Sequence, residues 1–318
     1  MIYEPTTDNI NMLAKQLREG SCVAFPTETV YGLAANALDG AAVAGIYHAK
    51  GRPNFNPLIV HVVSLEEAKK YGVFTQAAQL LAQTFWPGPL TLVVPRTPDC
   101  AISELVSAGL PSIALRVPAH ELARQLIASA DCPLAAPSAN KSGHLSPTRA
   151  EHVSQSLPHI PILSGQPTNI GVESTIIGCL EETPTLLRLG GLAREDIETV
   201  IGKPLNEVSE SDGDTAQLAP GRLLRHYAPQ AQLRLNAKTT KTGEALLAFG
   251  PPLSNHVGPV INLSLEKNLH EAAANLFSAL HELDRQGEKI AVMPIPHNGL
   301  GAAINDRLER AARGRAED

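Results

Sequence analysis

Two threonine hydroxyls stand just after the first β-type run of the chain, where a polar ligand could be held. The run covers residues 22–25, and Thr27 and Thr29 follow it after a proline. Polar side chains just beyond a strand end are a common site location in open α/β sheets. The alternative is a polar turn in which Glu28 caps the start of a helix, and spacing alone leaves both interpretations open.

Two cations and two amides share the next polar segment. Lys50 and Arg52 stand at the end of a predicted helix, where the helix dipole favours cations by itself. Asn54 and Asn56 follow at once, and His61 comes shortly after them. Because an arginine binds phosphate or carboxylate through two parallel hydrogen bonds, this group predicts an anion-binding loop.

A third pair lies on a single apolar strand. Ser112 and Arg116 are four residues apart and therefore share one face of that strand. A charged group on such a strand needs a partner. An anionic ligand and a buried structural ion pair are both open as that partner.

A later loop is again rich in hydroxyls and amides. Residues 136–143 contain Ser138 and Asn140, and Ser146 follows them. Such a loop can present hydroxyls and backbone N–H groups to phosphate oxygens. An ordinary surface turn is the alternative, since the chain contains no G-x-x-x-x-G-K-[ST] phosphate loop.

A short polar cluster at residues 171–175 precedes an apolar pair. It contains Ser174, and Arg188 lies fourteen residues further on. The recurring hydroxyls, amides and arginines suit binding of a polyanion and a polar small molecule rather than covalent catalysis. From the residues alone, the interpretation stops at an α/β enzyme that uses ATP or phosphate.

Composition disfavours several other classes of protein. The 318 residues carry a net charge of −6 and only 4% aromatic residues, which speaks against bulk electrostatic binding of nucleic acid and against a base-stacking platform. No uninterrupted apolar run of about 18 residues occurs, so a membrane span is not expected. The four cysteines are far apart, which indicates buried thiols in a reducing cytoplasm. Three histidines are interpreted as surface or helix-terminal residues: His120, His152 and His281.

The elements that must position the polar segments form two parts. Up to about residue 206, short β-type runs mix with helical patterns, which predicts a mixed α/β fold. The predicted strands there are 22–25, 58–63, 90–94 and 112–117, and the predicted helices are 10–19, 41–50, 76–85 and 121–129. Residues 207–219 carry four acids and no base, which indicates an exposed linker.

The last part, from about residue 232, alternates strand and helix. Strands are predicted at 244–249 and 289–293, with a long amphipathic helix at 269–286 between them. A further helix is predicted from Gly301. This order indicates a small parallel α/β domain.

Taken together and in this order, the segments resemble the threonylcarbamoyl-AMP synthase family in its long form. The matching stretches are residues 25–33, 50–52, 56–58, 85–92, 137–140, 142–143 and 171–175, the Pro-Gly and Arg-His-Tyr-Ala-Pro elements of residues 220–229, and residues 299–307. The resemblance implies a YrdC-like catalytic domain at 1–206, with a twisted mixed sheet and a concave site. It also implies a linker or lid at 207–231 and a small Rossmann-like domain at 232–318.

The resemblance also implies a reaction. The family converts L-threonine, bicarbonate and ATP into threonylcarbamoyl-adenylate and pyrophosphate, which makes its members nucleotidyltransferases. ATP would be used with Mg²⁺, and the family pattern names no residue as a metal ligand. The product would serve the threonylcarbamoyladenosine modification of tRNA in the cytoplasm, with tRNA or the downstream transferase machinery as implied partners and no membrane.

Residue by residue, the resemblance implies two sets of contacts. The threonine site would comprise Thr29, His61, Arg116 and Ser174. The ATP site would comprise Arg52, Asn56, Ser112, Ser138, Asn140, Ser146, Arg188 and Tyr227. Lys50 and Arg52 would be catalytic, with Lys50 adding positive charge near the phosphates.

Two departures from the family pattern stand out, and two rival functions are open. Ala136 occupies a position where some relatives have threonine, so any side-chain contact to the substrate is lost there. Residues 222–225 differ from the run that is commoner in the family, whereas His226 and Tyr227 are retained.

The two rival functions are a carbamoyl-adenylate-forming enzyme of the hydrogenase-maturation type and a non-catalytic module that binds double-stranded RNA.

Overall fold

The computed structural model describes residues 1–52, 56–207, 227–254 and 256–314. Asn54, His226 and nearly all of the predicted linker lie outside the described residues. Within those ranges the chain forms two β-sheets with helices packed against them. None of the described helices is both long enough and apolar enough to cross a bilayer.

The larger sheet is built from strands between residues 2 and 207. Its strands are β1 Ile2–Tyr3, β2 Val23–Phe25, β3 Gly32–Asn36, β4 Ile59–His61, β5 Leu90–Pro95, β6 Ser112–Arg116, β7 Leu134–Ala135, β8 Ile162–Leu163, β9 Thr175–Gly178, β10 Thr185–Arg188 and β11 Asn206–Glu207. Their order is β1-β8-β2-β3-β7-β4-β6-β5-β9-β10-β11. Parallel and antiparallel neighbours both occur, which confirms the predicted mixed α/β fold.

The helices of this part lie between its strands in the chain. They are α1 Thr7–Arg18, α2 Gly40–Lys50, α3 Leu65–Ala68, α4 Gln76–Phe85, α5 Glu104–Ser107, α6 Glu121–Ala130, α7 Ala150–Ser156 and α8 Arg194–Ile201. Helix α4 has the predicted bounds, because the Thr75 hydroxyl accepts a hydrogen bond from the N–H of Ala78 at 3.2 Å and so fixes its start.

Helix α2 ends in a way that matters for the site. Gly51 follows it with a φ of 58°, the left-handed conformation that glycine adopts at low cost. Its N–H bonds back to the last turn, and the chain then leaves the helix axis at Arg52. The end of α2 thereby sets the positions of Lys50 and Arg52.

The smaller sheet belongs to the last part of the chain. Its strands are β12 Gln232–Arg234, β13 Ala245–Ala248, β14 Val260–Asn262 and β15 Lys289–Val292, in the order β12-β15-β13-β14, and its helices are α9 Leu269–Gln286 and α10 Leu300–Ala312. All neighbouring strands are parallel, which confirms the predicted small parallel α/β domain. Strands β12 and β14 were not predicted, because each is three residues long and partly exposed.

The two parts share an apolar cluster. Val30 and Val172, from loops of the first part, pack with Phe277 of α9 in one buried group. The approach is close at Gly171, where an added Cβ would lie 2.2 Å from the carbonyl oxygen of Ala273. The last part of the chain is therefore seated directly against loops that carry the polar motifs.

Two of the alternatives that the sequence left open are excluded. Glu28 does not cap a helix: the strand β3 follows it, and its carboxylate lies 2.6 Å from the guanidinium of Arg116. His152 lies in the first turn of α7, as a helix-terminal residue, and not on the surface, since it is 9% exposed and stacks on the ring of His281 with centroids 4.0 Å apart. In both cases the partner comes from a distant part of the chain.

Candidate active site

One pocket gathers most of the residues singled out from the sequence. It extends across the face of the large sheet. Its lining includes the first residues of β3 and β4 as well as residues at the carboxyl ends of strands. Its lining residues are Thr27, Thr29, Val30, Gly32, Arg52, Ile59, His61, Arg116, Ala136, Pro137, Ser138, Glu173, Ser174, Arg188 and Tyr227. Ten of these fifteen residues carry a polar or charged side chain.

Arg116 enters this pocket as half of a buried ion pair. Strands β4 and β6 are parallel and place His61 opposite Arg116. An Nη atom of Arg116 lies 2.6 Å from Oε1 of Glu28 and 3.0 Å from the hydroxyl of Thr29. Although burial alone would raise it, Arg116 lowers the pKa of Glu28 below its ordinary value. Of the two partners that the sequence left open, the structure shows the ion pair, and Arg116 still lines the pocket.

His61 is a neutral polar group at physiological pH. Burial, and then the charge of Arg116, lower the pKa of His61 to about 3. Its Nδ1 lies 3.2 Å from the carbonyl oxygen of Ile59, which can only accept a hydrogen bond. The pocket therefore receives an uncharged imidazole.

Arg52 is a buried cation on another wall of the pocket. It is 7% exposed, and one Nη donates to the carbonyl of Pro57 at 3.3 Å. Burial lowers the pKa of Arg52 from 12.5 to about 10, so the group stays charged at neutral pH. Its Nε has no hydrogen-bond partner among the described residues, and the ion pairs found in those residues do not include it. A buried cationic donor without a partner is suited to bind an anionic ligand.

Lys50 supports a pocket loop from behind. Its Nζ donates to the backbone carbonyls of Ser138 and Asn140 at 2.5 Å each. Burial, and then the charge of Arg52, hold the pKa of Lys50 well below its ordinary value. The Asn140 amide donates to two further carbonyls of the same loop at 2.9 Å. These bonds fix the backbone that presents Ser138 to the pocket.

Ser174 lies at the centre of a second polar group. Its hydroxyl is 2.7 Å from the hydroxyl of Thr91, and Arg188 donates to its carbonyl at 2.8 Å and to its hydroxyl at 3.2 Å. Arg188 comes from the end of β10, which is antiparallel to β9. The strand pairing thus brings together two residues that the sequence separates by fourteen positions.

Glu173 is a pocket residue that sequence reasoning missed. It is 6% exposed, and its two oxygens accept from the Ser146 hydroxyl at 2.5 Å and from Nε of Arg307 at 2.8 Å. Burial opposes its ionisation, but Arg307 and Arg188 lower the pKa of Glu173 to about 2. Its position beside Ser174 in the same motif was the available signal.

Tyr227 closes the pocket from the side of the last part. It is 1% exposed and has a φ of 63°. Its ring centroid lies 5.7 Å from that of Phe277 and 5.1 Å from the guanidinium carbon of Arg307. The described end of the linker is therefore fixed between the pocket and the small domain.

Comparison with known proteins identifies the family of the chain. A family model described as "Telomere recombination" matches residues 15–190, and one described as "Threonylcarbamoyl-AMP synthase, C-terminal domain" matches residues 192–313. The threonylcarbamoyl-AMP synthase of Pyrococcus abyssi is 43% identical over 95% of this chain and 94% of its own. That of Bacillus subtilis is 41% identical over 96% and 93%. The chain belongs to the threonylcarbamoyl-AMP synthase family.

Solved structures agree with this family and its fold. The crystal structure of P. abyssi Sua5 complexed with L-threonine has a TM-score of 0.90 and 41% identity, covering 98% of each chain. The crystal structure of E. coli YciO has a TM-score of 0.53 at 20% identity and covers 60% of this chain, which shows a shared fold only. The chain and the P. abyssi structure therefore share one fold over nearly all of both chains.

The residues implied by the family pattern fall into three groups in space. Eight of them line the pocket: Thr29, Arg52, His61, Arg116, Ser138, Ser174, Arg188 and Tyr227. Lys50, Asn140 and Ser146 lie behind the lining and bond to it or to its loops. Ser112 lies at the opposite end of β6 from Arg116, and the Asn56 carbonyl accepts from Tyr47 at 3.1 Å. Ala136 lines the pocket with only a methyl group.

Proposed function

We propose that the protein forms threonylcarbamoyl-adenylate and pyrophosphate from L-threonine, bicarbonate and ATP. The observation that supports this most strongly is the charge arrangement of the pocket in a chain of this family. Arg116 lines the pocket and is paired with Glu28, whereas the buried cation Arg52 lines it without an ion-pair partner among the described residues. The first suits a zwitterionic amino acid, and the second suits a polyphosphate.

Threonine would bind at Arg116, Thr29, His61 and Ser174. The guanidinium of Arg116 would attract the carboxylate by its charge and bind it through its other Nη, because its Nε already donates to the carbonyl of Gly88 and one Nη to Glu28 and Thr29. The neutral imidazole of His61 would not repel the amino group. A neutral neighbour also suits the reaction, since threonine's nitrogen must lose its proton before it can add to bicarbonate.

ATP would bind along Arg52, Ser138 and Arg188, with Asn56, Ser112, Asn140, Ser146 and Tyr227 completing the predicted set. The cations would neutralise phosphate charge, and Lys50 would act mainly through the loop it supports. Mg²⁺ would enter with ATP as part of the substrate. The oxygens of Glu173, the only acid that lines the pocket among the described residues, are already engaged, and Mg²⁺ commonly retains waters and phosphate oxygens as ligands.

The chemistry fits a site without a nucleophilic side chain. Threonine's nitrogen forms a bond to the carbon of bicarbonate, and water leaves to give the carbamate. A carbamate oxygen then bonds to the α-phosphorus of ATP, while the bond to the β-phosphate oxygen breaks and pyrophosphate departs. Both steps depend on alignment and charge neutralisation, which positioned arginines and hydroxyls can supply.

The use of the product, the compartment and the domain boundaries follow from the same proposal. The adenylate would be consumed in the threonylcarbamoyladenosine modification of tRNA, which we place in the cytoplasm, with tRNA or the transferase machinery as partners. The proposed boundaries are 1–206, 207–231 and 232–318. The last strand of the large sheet, β11, ends at Glu207, one residue beyond the first boundary, and the first strand of the small sheet, β12, begins at Gln232, where the third part begins.

The proposal is tested by pyrophosphate release from ATP. We expect release by the purified full chain with Mg²⁺ to require both threonine and bicarbonate. Arg52→Ala should abolish it and leave the fold intact, whereas Lys15→Ala, at a side chain that is 67% exposed, should behave as wild type. Release that ignores either co-substrate, or none from the folded protein, would contradict the proposal.

A further inference from the structure

Arg307 of the small domain reaches the wall of the pocket. It lies on α10 and is fully buried, although arginine is rarely so. Its Nε donates to Oε2 of Glu173 at 2.8 Å, and one Nη donates to the carbonyl of Leu189 at 2.7 Å. The other Nη contacts Asp306, and the guanidinium carbon lies 5.1 Å from the ring centroid of Tyr227. All sides of the guanidinium are thus in use.

Glu173 connects Arg307 to residues of the pocket. Its second oxygen accepts the hydroxyl proton of Ser146, which the family pattern assigns to ATP. Arg188, on the pocket wall, is also close enough to influence the charge of Glu173. The charged and titratable groups that face Glu173 are Arg307, Arg188 and Tyr227, with Asp306 behind Arg307.

We propose that Arg307 is a positioning residue for the reaction: it fixes the carboxylate of Glu173, which takes the hydroxyl proton of Ser146 and so holds the Ser146 oxygen where it can accept a hydrogen bond from ATP. The small domain therefore supplies part of the active site from outside the YrdC-like domain. This inference rests on the proposed function. Arg307 itself does not touch substrate.

A purely structural ion pair explains the geometry less well. A buried ion pair offers little net stability, because removing both charges from water costs about as much as their attraction returns. The two parts already meet through the apolar group around Val172 and Phe277, and through a 2.9 Å contact between the hydroxyls of Thr148 and Ser278. Docking does not need a charge at Arg307, whereas an ionised carboxylate in the pocket does.

The pH dependence of turnover separates the two roles. Without Arg307, burial remains the largest influence on Glu173 and opposes its ionisation, so the pKa of Glu173 rises from about 2. Activity that needs the carboxylate is lost as pH falls through the raised pKa. We expect Arg307→Met to lower kcat by roughly 10²-fold and to move the acidic limb of the kcat profile to higher pH.

Three companion variants make the test specific. Arg307→Lys keeps a positive charge, so it should hold the acidic limb near its wild-type position with an intermediate kcat, and it serves as the second variant if Arg307→Met does not fold. Glu173→Gln should be slow and lack that limb. Arg307→Met combined with Glu173→Gln should be no slower than Glu173→Gln alone, because one residue acts through the other. Ser278→Ala breaks a contact between the same two parts and should leave kcat and its pH profile unchanged.

The outcomes are distinguishable from those of the proposed function. Folded Arg307→Met with a wild-type kcat and pH profile overturns the inference alone, and so does a loss that is independent of pH and additive with Glu173→Gln. Absence of threonine- and bicarbonate-dependent pyrophosphate release from the wild-type chain overturns the proposed function and this inference together.

Discussion

The pocket has two walls that handle buried charge in opposite ways. On the proposed threonine side, Arg116 is neutralised by Glu28 at 2.6 Å. On the proposed phosphate side, Arg52 is buried with Nε lacking a partner among the described residues, and burial lowers its pKa to about 10. The first wall is complete without a ligand. We propose that an anionic ligand completes the second wall.

This difference predicts which substitutions lower the stability of the protein and which lower its activity. Removing one member of a balanced buried pair leaves the other charge stranded, which is costly for the fold. Removing a buried cation that has no counter-charge relieves a cost and removes a binding contact. The predictions below use the two arginines as matched probes.

Arg116→Met should have the largest effect, on stability. It leaves the carboxylate of Glu28 buried without its partner, so we expect the free energy of unfolding to fall by about 3–5 kcal/mol. Urea denaturation at pH 7 measures this change. Glu28→Gln in the same chain should restore part of the loss, and a single variant as stable as wild type would break the comparison.

Arg52→Met should show the reverse pattern. Turnover should fall by roughly 10²- to 10³-fold, because a charge aimed at the phosphates is lost. The free energy of unfolding should stay unchanged or rise. Pyrophosphate release and urea denaturation on the same preparation check both parts, and a destabilisation as large as that of Arg116→Met would show that the two walls do not differ.

Ligand binding sharpens the comparison further. At 100 times its dissociation constant, Mg·ATP should stabilise the wild-type protein by about 2.7 kcal/mol. At the same concentration, Arg52→Met should gain much less from ATP and keep its response to threonine. Thermal unfolding with each ligand measures this, and equal losses for both ligands would contradict separate sites.

His61 gives the smallest effect, on the pH dependence of stability. Its pKa is about 3 in the folded protein and near its ordinary 6.5 when unfolded, so the unfolded chain binds the extra proton as pH falls below 6.5. Stability from this group is present above that pH and is lost as pH falls toward 3. His61→Gln should reduce the slope by up to about 1.4 kcal/mol per pH unit. Urea denaturation of both proteins at pH 7, 6 and 5 measures how the free energy of unfolding changes with pH. The same slope in wild type and His61→Gln would show that the imidazole is already charged in the folded protein.

Local patterns predicted the elements with strong periodicity. Helices α4 and α9 have their predicted bounds, because each combines an apolar face with a side chain that caps its first turn, Thr75 for α4 and Asn268 for α9. The short strands β12 and β14 lack such signals. The mixed and the parallel sheet were both predictable in kind, but the strand order was not.

The site was predictable as a set of motifs and not as a network. Thr29, His61 and Ser174 stand in recognisable segments and line one pocket. The pairs that fix it join residues far apart in the chain, with 88 positions between the members of Arg116 and Glu28 and 134 between those of Arg307 and Glu173. One sequence carries no signal for such pairing, which is why the role of Glu28 was left open and why Arg307 was not recognised as part of the site.

The central claim is tested most directly by following the carbon of bicarbonate. Bicarbonate labelled at its carbon is incubated with the full chain, Mg·ATP and threonine. The products are then separated and their masses are determined by mass spectrometry. We predict a labelled product that contains both threonine and AMP, formed with one pyrophosphate for each molecule. Pyrophosphate release without label in an adenylate, or a labelled adenylate that lacks threonine, would contradict the account.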